Sequence, residues 1–292
     1  MTTAAGVERR VFAFHPASDR PAKRLTANQR RSFDERGIVD RIRVFDATEI
    51  ADIRSRIDRL LQVFKQAGKD SYSIDGYQTS CATIYDIVRE PRLLDFVEDL
   101  LGPDFVCWGT HCFCKMPGDG KTVSWHQDAP FWPLSPTRTV TVWLAIDDVD
   151  AENGAMQVIP GSHRHGAIPI SASKPEENNV LWLTTEGYES YGSAEHVQLT
   201  AGEVSIHSDL LLHGSERNHS PRRRCGMAIR YATVDVRTTS DWRPKSIHCR
   251  GTDPAGYWPD HPRPEADAPA GLPAPSGELS SVRSPATSQR SE

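Results

Sequence analysis

The sequence predicts a mainly β, α+β fold in which N-terminal helices buttress one face of a sheet. Two observations carry this expectation. Apolar residues recur at helical spacing only as far as Gly102. Beyond it, short stretches rich in β-branched and aromatic residues take over, divided by turns rich in Gly, Pro and Asp. Helices followed by strands point to α+β, and short strands at this spacing to a sandwich or barrel-like double sheet. A chain of 292 residues, 38 % hydrophobic, is long enough to bury a sizeable core in one large or two small domains.

The helices come first. "LTANQRRSFDERG" reads as a short helix with Thr26 as N-cap and Gly37 as its stop. Asp46 caps a longer one, in which Ile50, Ile53, Ile57, Leu60, Leu61 and Phe64 form one apolar stripe. A third runs from Pro91, a first-turn position, to Gly102. The strand-like stretches are "FVCWGTHCFCKM", "TVSWHQD", "RTVTVWLAIDD", "MQVIPGS", residues 195–200, "EVSIHSDLLLHGS" and "CGMAIRYATVDV". The polar residues 1–24 are expected to be a flexible N-terminal segment, and residues 25–258 a single domain. Residues 259–292 hold seven prolines among Ser, Ala and charge, and are expected to be a disordered tail.

Composition excludes several function classes. A net charge of −5 gives no basis for nucleic-acid binding, and Arg222-Arg223-Arg224 is too short a run to change that. No apolar stretch is long enough to span a membrane. The first residues, "MTTAAGVERR", lack the apolar core of a secretory signal. The six cysteines, Cys81, Cys107, Cys112, Cys114, Cys225 and Cys249, contain no CxxC pair. They read as reduced thiols of a cytoplasmic protein. Cys112 and Cys114 share a strand face, as buried residues rather than a metal pair.

The candidate chemistry starts at "SWHQDAPFWPLS", residues 124–135. In extended backbone, His126 and Asp128 point to one side and can face one cavity. A third metal ligand must come from a distant strand, and His213 at the end of an apolar run is a candidate. Two His and one carboxylate form the facial set that holds non-haem Fe(II) with positions left open. His207 and Asp209 repeat the H-x-D spacing ahead of His213. A set led by them is disfavoured, because ligands strung along one strand run out in a line. The H-x-D spacing alone is common, and a site holding no metal is the third alternative.

The segments "WHQDAPFWPLSPTRTVTVWLAIDDVDAENGAMQVIPGSHRHG" and "GEVSIHSDLLLHGSERNHSPRRRCGMAIRYA" closely resemble the phytanoyl-CoA dioxygenase family of Fe(II)- and 2-oxoglutarate-dependent oxygenases. The resemblance covers roughly residues 25–240. It implies a double-stranded β-helix, or jelly roll of cupin-like type, with helices packed on one side. It implies His126, Asp128 and His213 as the iron ligands, with 2-oxoglutarate and O₂ as co-substrates. It places the arginine for the far carboxylate of 2-oxoglutarate eleven residues past the distal His, at Arg224. The planar guanidinium suits a carboxylate. Arg230 shares that strand face and can pair with a carboxylate instead. Trp143 matches a tryptophan lining the co-substrate site, although a core role fits it too. Relatives that halogenate carry Gly or Ala at the position of Asp128, so the carboxylate implies hydroxylation, or desaturation, cyclisation or epimerisation.

The substrate is less legible. A small molecule such as a natural-product intermediate, an amino acid or a phosphonate-like metabolite is expected, handled by a monomer or homodimer. Lys115 is a candidate for an anionic substrate, with a solvated lysine as the plainer reading. Phe131 and Trp132 stand at the cavity mouth, to clasp substrate or to cover the core. His163 faces the site or caps a turn. A jelly roll that binds without catalysing is the alternative from another class.

Overall fold

In the computed structural model, which describes residues 10–267, helix α1 (Ala27–Arg36) begins where the sequence says it should. The Thr26 hydroxyl accepts from the Gln29 N–H while the Gln29 side chain accepts from the Thr26 N–H. This reciprocal cap satisfies two donors that the first turn leaves open. Gly37 ends the helix at φ 81°, a left-handed conformation that side chains resist. The chain then enters β1 (Ile38–Arg43), an edge strand the sequence reading did not anticipate. Helix α2 (Ala47–Gln66) starts at Asp46, whose carboxylate accepts from Thr48 and Glu49. Its stripe buries Ile50, Ile57, Leu60 and Phe64, with Ile53 and Leu61 half-buried beside them. Each full burial is worth about 1.5–3 kcal/mol before chain entropy is counted. The seven-residue α3 (Ala82–Val88) precedes α4 (Pro91–Leu101), which ends at Gly102 as expected.

The strands follow. They are β2 (Phe105–Lys115), β3 (Val123–His126), β4 (Leu134–Ser135), β5 (Thr139–Ala145), β6 (Met156–Val158), β7 (Ser171–Ala172) and β8 (Leu183–Thr184). Then come β9 (Glu195–His196), β10 (Glu203–Ser208), β11 (His213–Ser215), β12 (Arg224–Thr233), β13 (Arg237–Thr238) and β14 (Ile247–Arg250). Five of them join β1 in an antiparallel sheet of six strands, in the order β1-β10-β5-β12-β2-β14. Four make a smaller antiparallel sheet, β3-β11-β6-β9. The helices pack on the far face of the large sheet, where Val140, Val142, Leu144, Met227, Ile229 and Tyr231 join one core with them. The opposite face of the same strands looks across at the small sheet and lines a cavity. This is the helix-buttressed jelly roll that the resemblance implies.

"EVSIHSDLLLHGS", one stretch in sequence, is two strands in two sheets. A turn after Ser208, closed by Leu211 N–H donating to Ser208 O at 3.0 Å, passes the chain from one sheet to the other. Leu210, Leu211 and Leu212 are fully buried, so the apolar run is the crossing itself.

Parts of both flanking segments make contact with the domain. Residues 10–24 are held against the domain: the Arg10 guanidinium donates to the carbonyls of Ala129, Pro130 and Leu134. Ala13 exchanges hydrogen bonds with Thr137, and Asp99 accepts from the N–H groups of Lys23, Arg24 and Leu25. The first part of the expected tail is also docked. Arg263 forks onto Asp86 at 2.6 and 2.7 Å, and Asp267 accepts from the N–H and hydroxyl of Thr83. Polar composition pointed to disorder, but each segment satisfies its polar groups on the domain surface. Residues 1–9 and 268–292, where the remainder of those two expectations falls, lie outside the described residues. All six cysteines are buried free thiols, Cys112 and Cys114 among them. Among the described residues, no helix is long and apolar enough to cross a membrane.

Candidate metal centre and its cavity

β3 and β11 pair with His126 directly opposite His213, which brings the two imidazole centroids to 4.1 Å. β3 ends at His126, and the short turn that begins at Asp128 returns the carboxylate to the same side. His126 Nε2 lies 3.6 Å from Asp128 Oδ1. One ligand atom from each of His126, Asp128 and His213 falls within 4.8 Å of the others, and all three residues are buried. The three expected ligands are therefore brought together. His213 starts a strand rather than ending one, since the crossing turn precedes it.

The surroundings fix how these groups present themselves. His126 Nδ1 lies 2.8 Å from the Ser124 carbonyl, and His213 Nδ1 lies 2.9 Å from that of Leu211. A carbonyl only accepts, so each Nδ1 carries a proton and Nε2 is the ring atom turned to the cavity. Such partners orient metal-bound histidines. Burial, with His126 beside it, holds the His213 pKa well below the ordinary value, which keeps the ring neutral. Burial alone would raise the Asp128 carboxyl, but the neighbouring His126 and His207 outweigh it and hold it well below the usual range. Thr141 Oγ1 donates to Asp128 Oδ2 at 3.0 Å. Two imidazoles and one carboxylate are the donor set of a divalent iron site, so these residues fit the metal. Trp125 and Gln127 point away, as alternation requires. Trp125 stacks on Tyr188, and Gln127 bonds the backbone of Gly166, Leu210 and Ile168.

His207 departs from the expectation. It does not run out along a line with His213, because the strand breaks between them. Its Nε2 lies 3.8 Å from Asp128 Oδ2, its ring centroid 4.8 Å from that of His213, and neither ring nitrogen has a hydrogen-bond partner. It lines the cavity beside the triad, whereas Asp209 turns away into the crossing.

The cavity holds about 600 Å³, ample for a co-substrate and a small molecule together. At one end lie Arg224, Trp143 and Ser215. The Arg224 side chain is buried, donating to the carbonyls of Gly154 and Phe113 and to Ser215 Oγ, with no carboxylate among these partners. A buried guanidinium without a counter-ion calls for an anion. Trp143 lies 5.4 Å beneath it. Gly226 makes this possible: a Cβ there would come within 2.1 Å of the Trp143 ring.

Lys115 proves neither solvated nor cavity-lining. It is fully buried behind Ser215, and its ammonium donates to Ser215 O, Ser215 Oγ and the Glu216 carbonyl. Burial next to Arg224 pushes its pKa down to about 6. The long stem lets the head group reach carbonyls that the backbone leaves open, a destination sequence cannot supply. Phe131 stands edge-on to His126 at 5.6 Å and lines the cavity. Trp132 also lines it and packs against Trp108 at 4.7 Å. His163 is buried away from the cavity against Phe14 and the Asp34 carbonyl, so it is structural. Sequence reasoning missed Trp182, 42 % exposed at the rim, and Asp75 and His111 on the inner wall. They carry no motif and come from three separate parts of the chain.

The family model for phytanoyl-CoA dioxygenase (PhyH) matches residues 33–226. Bovine peroxisomal phytanoyl-CoA dioxygenase is 29 % identical over 160 residues, covering 51 % of this chain and 48 % of that one. The chain thus spans about half the length of that relative. A probable alpha-ketoglutarate-dependent hypophosphite dioxygenase from Stutzerimonas stutzeri is 26 % identical, covering 73 % of this chain and 80 % of its own. Among solved structures, the nickel complex of the non-heme monooxygenase ThoJ is 28 % identical with a TM-score of 0.68, covering 81 % and 89 % of the two chains.

Proposed function

The chain belongs to the phytanoyl-CoA dioxygenase family, and from that premise we propose that it is an Fe(II)- and 2-oxoglutarate-dependent oxygenase hydroxylating an unactivated C–H bond of a small molecule. The balance is R–H, O₂ and 2-oxoglutarate to R–OH, succinate and CO₂. The observation that carries this reading is the buried triad of His126, Asp128 and His213 with both Nδ1 atoms engaged on carbonyls. Bound Fe(II) would supply activation of O₂ coupled to decarboxylation of the co-substrate. The protein's own residues do the rest. Thr141 fixes one oxygen of Asp128, leaving the other for the metal. Arg224 and Ser215 receive the far carboxylate of 2-oxoglutarate, and Trp143 walls that end. Phe131 and Trp132 shape the space in which substrate lies and keep water from it.

His126→Ala and Asp128→Ala test this by succinate release from 2-oxoglutarate. Both should fall to background with the fold intact by circular dichroism. Undiminished turnover in either variant would remove the assignment.

A further inference from the structure

The cavity contains a second buried cation that the iron and 2-oxoglutarate chemistry does not use. Arg230 is 7 % exposed and lines the cavity, and its Nε and one terminal nitrogen have no hydrogen-bond partner. It sits on the inward face of β12 with Arg224, Gly226 and Ala228, but six residues further along the strand from Arg224. The site around it is built. Its partner across the β2–β12 ladder is Gly109, which has no side chain to occupy the space under the guanidinium. The register then slips: Arg230 faces Gly109 while Tyr231 faces Cys107, so Trp108 is an extra residue on β2. Such a bulge re-aims a side chain, and here the indole joins Trp132 in flanking the guanidinium, at 5.8 and 5.3 Å. Aromatic faces hold the cation in place without neutralising it.

A complementary orphan lies across β2. Asp75 is half-buried, bridges to His111 and lines the same cavity, and its Oδ1 has no hydrogen-bond partner. His111 does not supply one. Its Nε2 lies 2.8 Å from the Tyr72 carbonyl and so carries the proton, and its Nδ1 stands 4.0 Å from Asp75. Burial holds this ring's pKa below the ordinary value, so Nδ1 meets Asp75 as a lone pair. The cavity wall therefore offers guanidinium nitrogens and a carboxylate oxygen that have no hydrogen-bond partner. Leaving both open is costly unless a ligand completes them.

We propose that Arg230 and Asp75 form a substrate subsite for an amino acid, Arg230 taking its carboxylate and Asp75 its amine. Trp132 and Phe131 make the wall against which the apolar part of that molecule lies, with Trp108 packed behind Trp132. This deepens the oxygenase reading and rests on it: Arg224 is assigned to the co-substrate, and Arg230 to the molecule that is oxidised. Two buried guanidinium groups in one cavity answer two anions.

The test is calorimetric titration of the full chain with Fe(II) and 2-oxoglutarate in the absence of O₂. The probes are the twenty proteinogenic amino acids, γ-aminobutyrate and 5-aminopentanoate. Each binder is compared with the amine lacking its carboxylate and the acid lacking its amine. At least one amino acid should bind, and both single-charge analogues should bind roughly 10- to 100-fold more weakly. Arg230→Gln should weaken the amino acid and the acid analogue by that factor and leave the amine analogue unchanged. Asp75→Asn should weaken the amino acid and the amine analogue instead. Both variants should bind 2-oxoglutarate as the parent does. The proposal is overturned if iron and 2-oxoglutarate bind but no probe does, if the analogues match the amino acid, or if Arg230→Gln weakens 2-oxoglutarate. If iron itself fails to bind the parent chain, the oxygenase reading falls and this proposal with it.

Discussion

The two faces of β12 make the most instructive comparison in the molecule. On one face Cys225, Met227, Ile229 and Tyr231 pack into the helices. On the other, Arg224, Ala228 and Arg230 look into the cavity, and Gly226 lies under the Trp143 ring. All ten residues of the strand are buried, so burial alone does not tell the faces apart. Chemistry does. The helix face is apolar apart from the Tyr231 hydroxyl, which donates to the Val88 carbonyl. The cavity face sets two of the smallest residues between two buried cations. One face spends its burial on stability. The other keeps space and charge that stability alone would not favour.

If the division holds, substitutions should sort by face. The largest functional effect belongs to the triad facing β12 across the cavity. His126→Ala or Asp128→Ala should lower iron affinity by more than about 100-fold, since losing even an outer partner of a metal ligand costs 10–100-fold. Metal content after equilibrium dialysis checks this, and the thermal midpoint should hold. On the helix face, Met227→Ala should cost about 2–5 kcal/mol in denaturant unfolding, while the Michaelis constant for 2-oxoglutarate stays put at temperatures where the fold survives. On the cavity face, Arg224→Gln should do the reverse. It should raise that Michaelis constant roughly 10- to 100-fold, the worth of one charge-assisted contact, with iron content unchanged. A destabilised Arg224→Gln with normal co-substrate kinetics would break the comparison. The smallest effect is expected at Thr141→Val, which removes only the hydroxyl bonded to Asp128. Iron affinity should drop by about 10-fold, read by competition with a chelator.

The local and the non-local separate in what the sequence revealed. Helix ends were legible because caps are local: Thr26 with Gln29, Asp46 with Glu49, Pro91 and Gly102 each sit within a turn of what they fix. The triad was legible because His126 and Asp128 share a short motif and the company around His213 is distinctive. β1 was missed since "IVDRIR" carries three charges and finds its partner β10 far along the chain. The break after Ser208 was hidden by three leucines that read as strand but form the crossing between sheets, which is why His207 arrived beside the triad unannounced. Lys115 was misjudged because a lysine's destination depends on which carbonyls lie within reach of its stem. Asp75 and His111 were silent for a related reason: an isolated bridge joins residues that share no pattern.

The most direct measurement is an anaerobic Fe(II) titration of the parent chain and of Asp128→Ala, followed by 2-oxoglutarate and O₂ with succinate as the readout. The account predicts one Fe(II) per chain in the parent and iron-dependent succinate release, both lost in Asp128→Ala while its circular dichroism matches the parent. Equal iron binding and equal succinate release in the two proteins would contradict it.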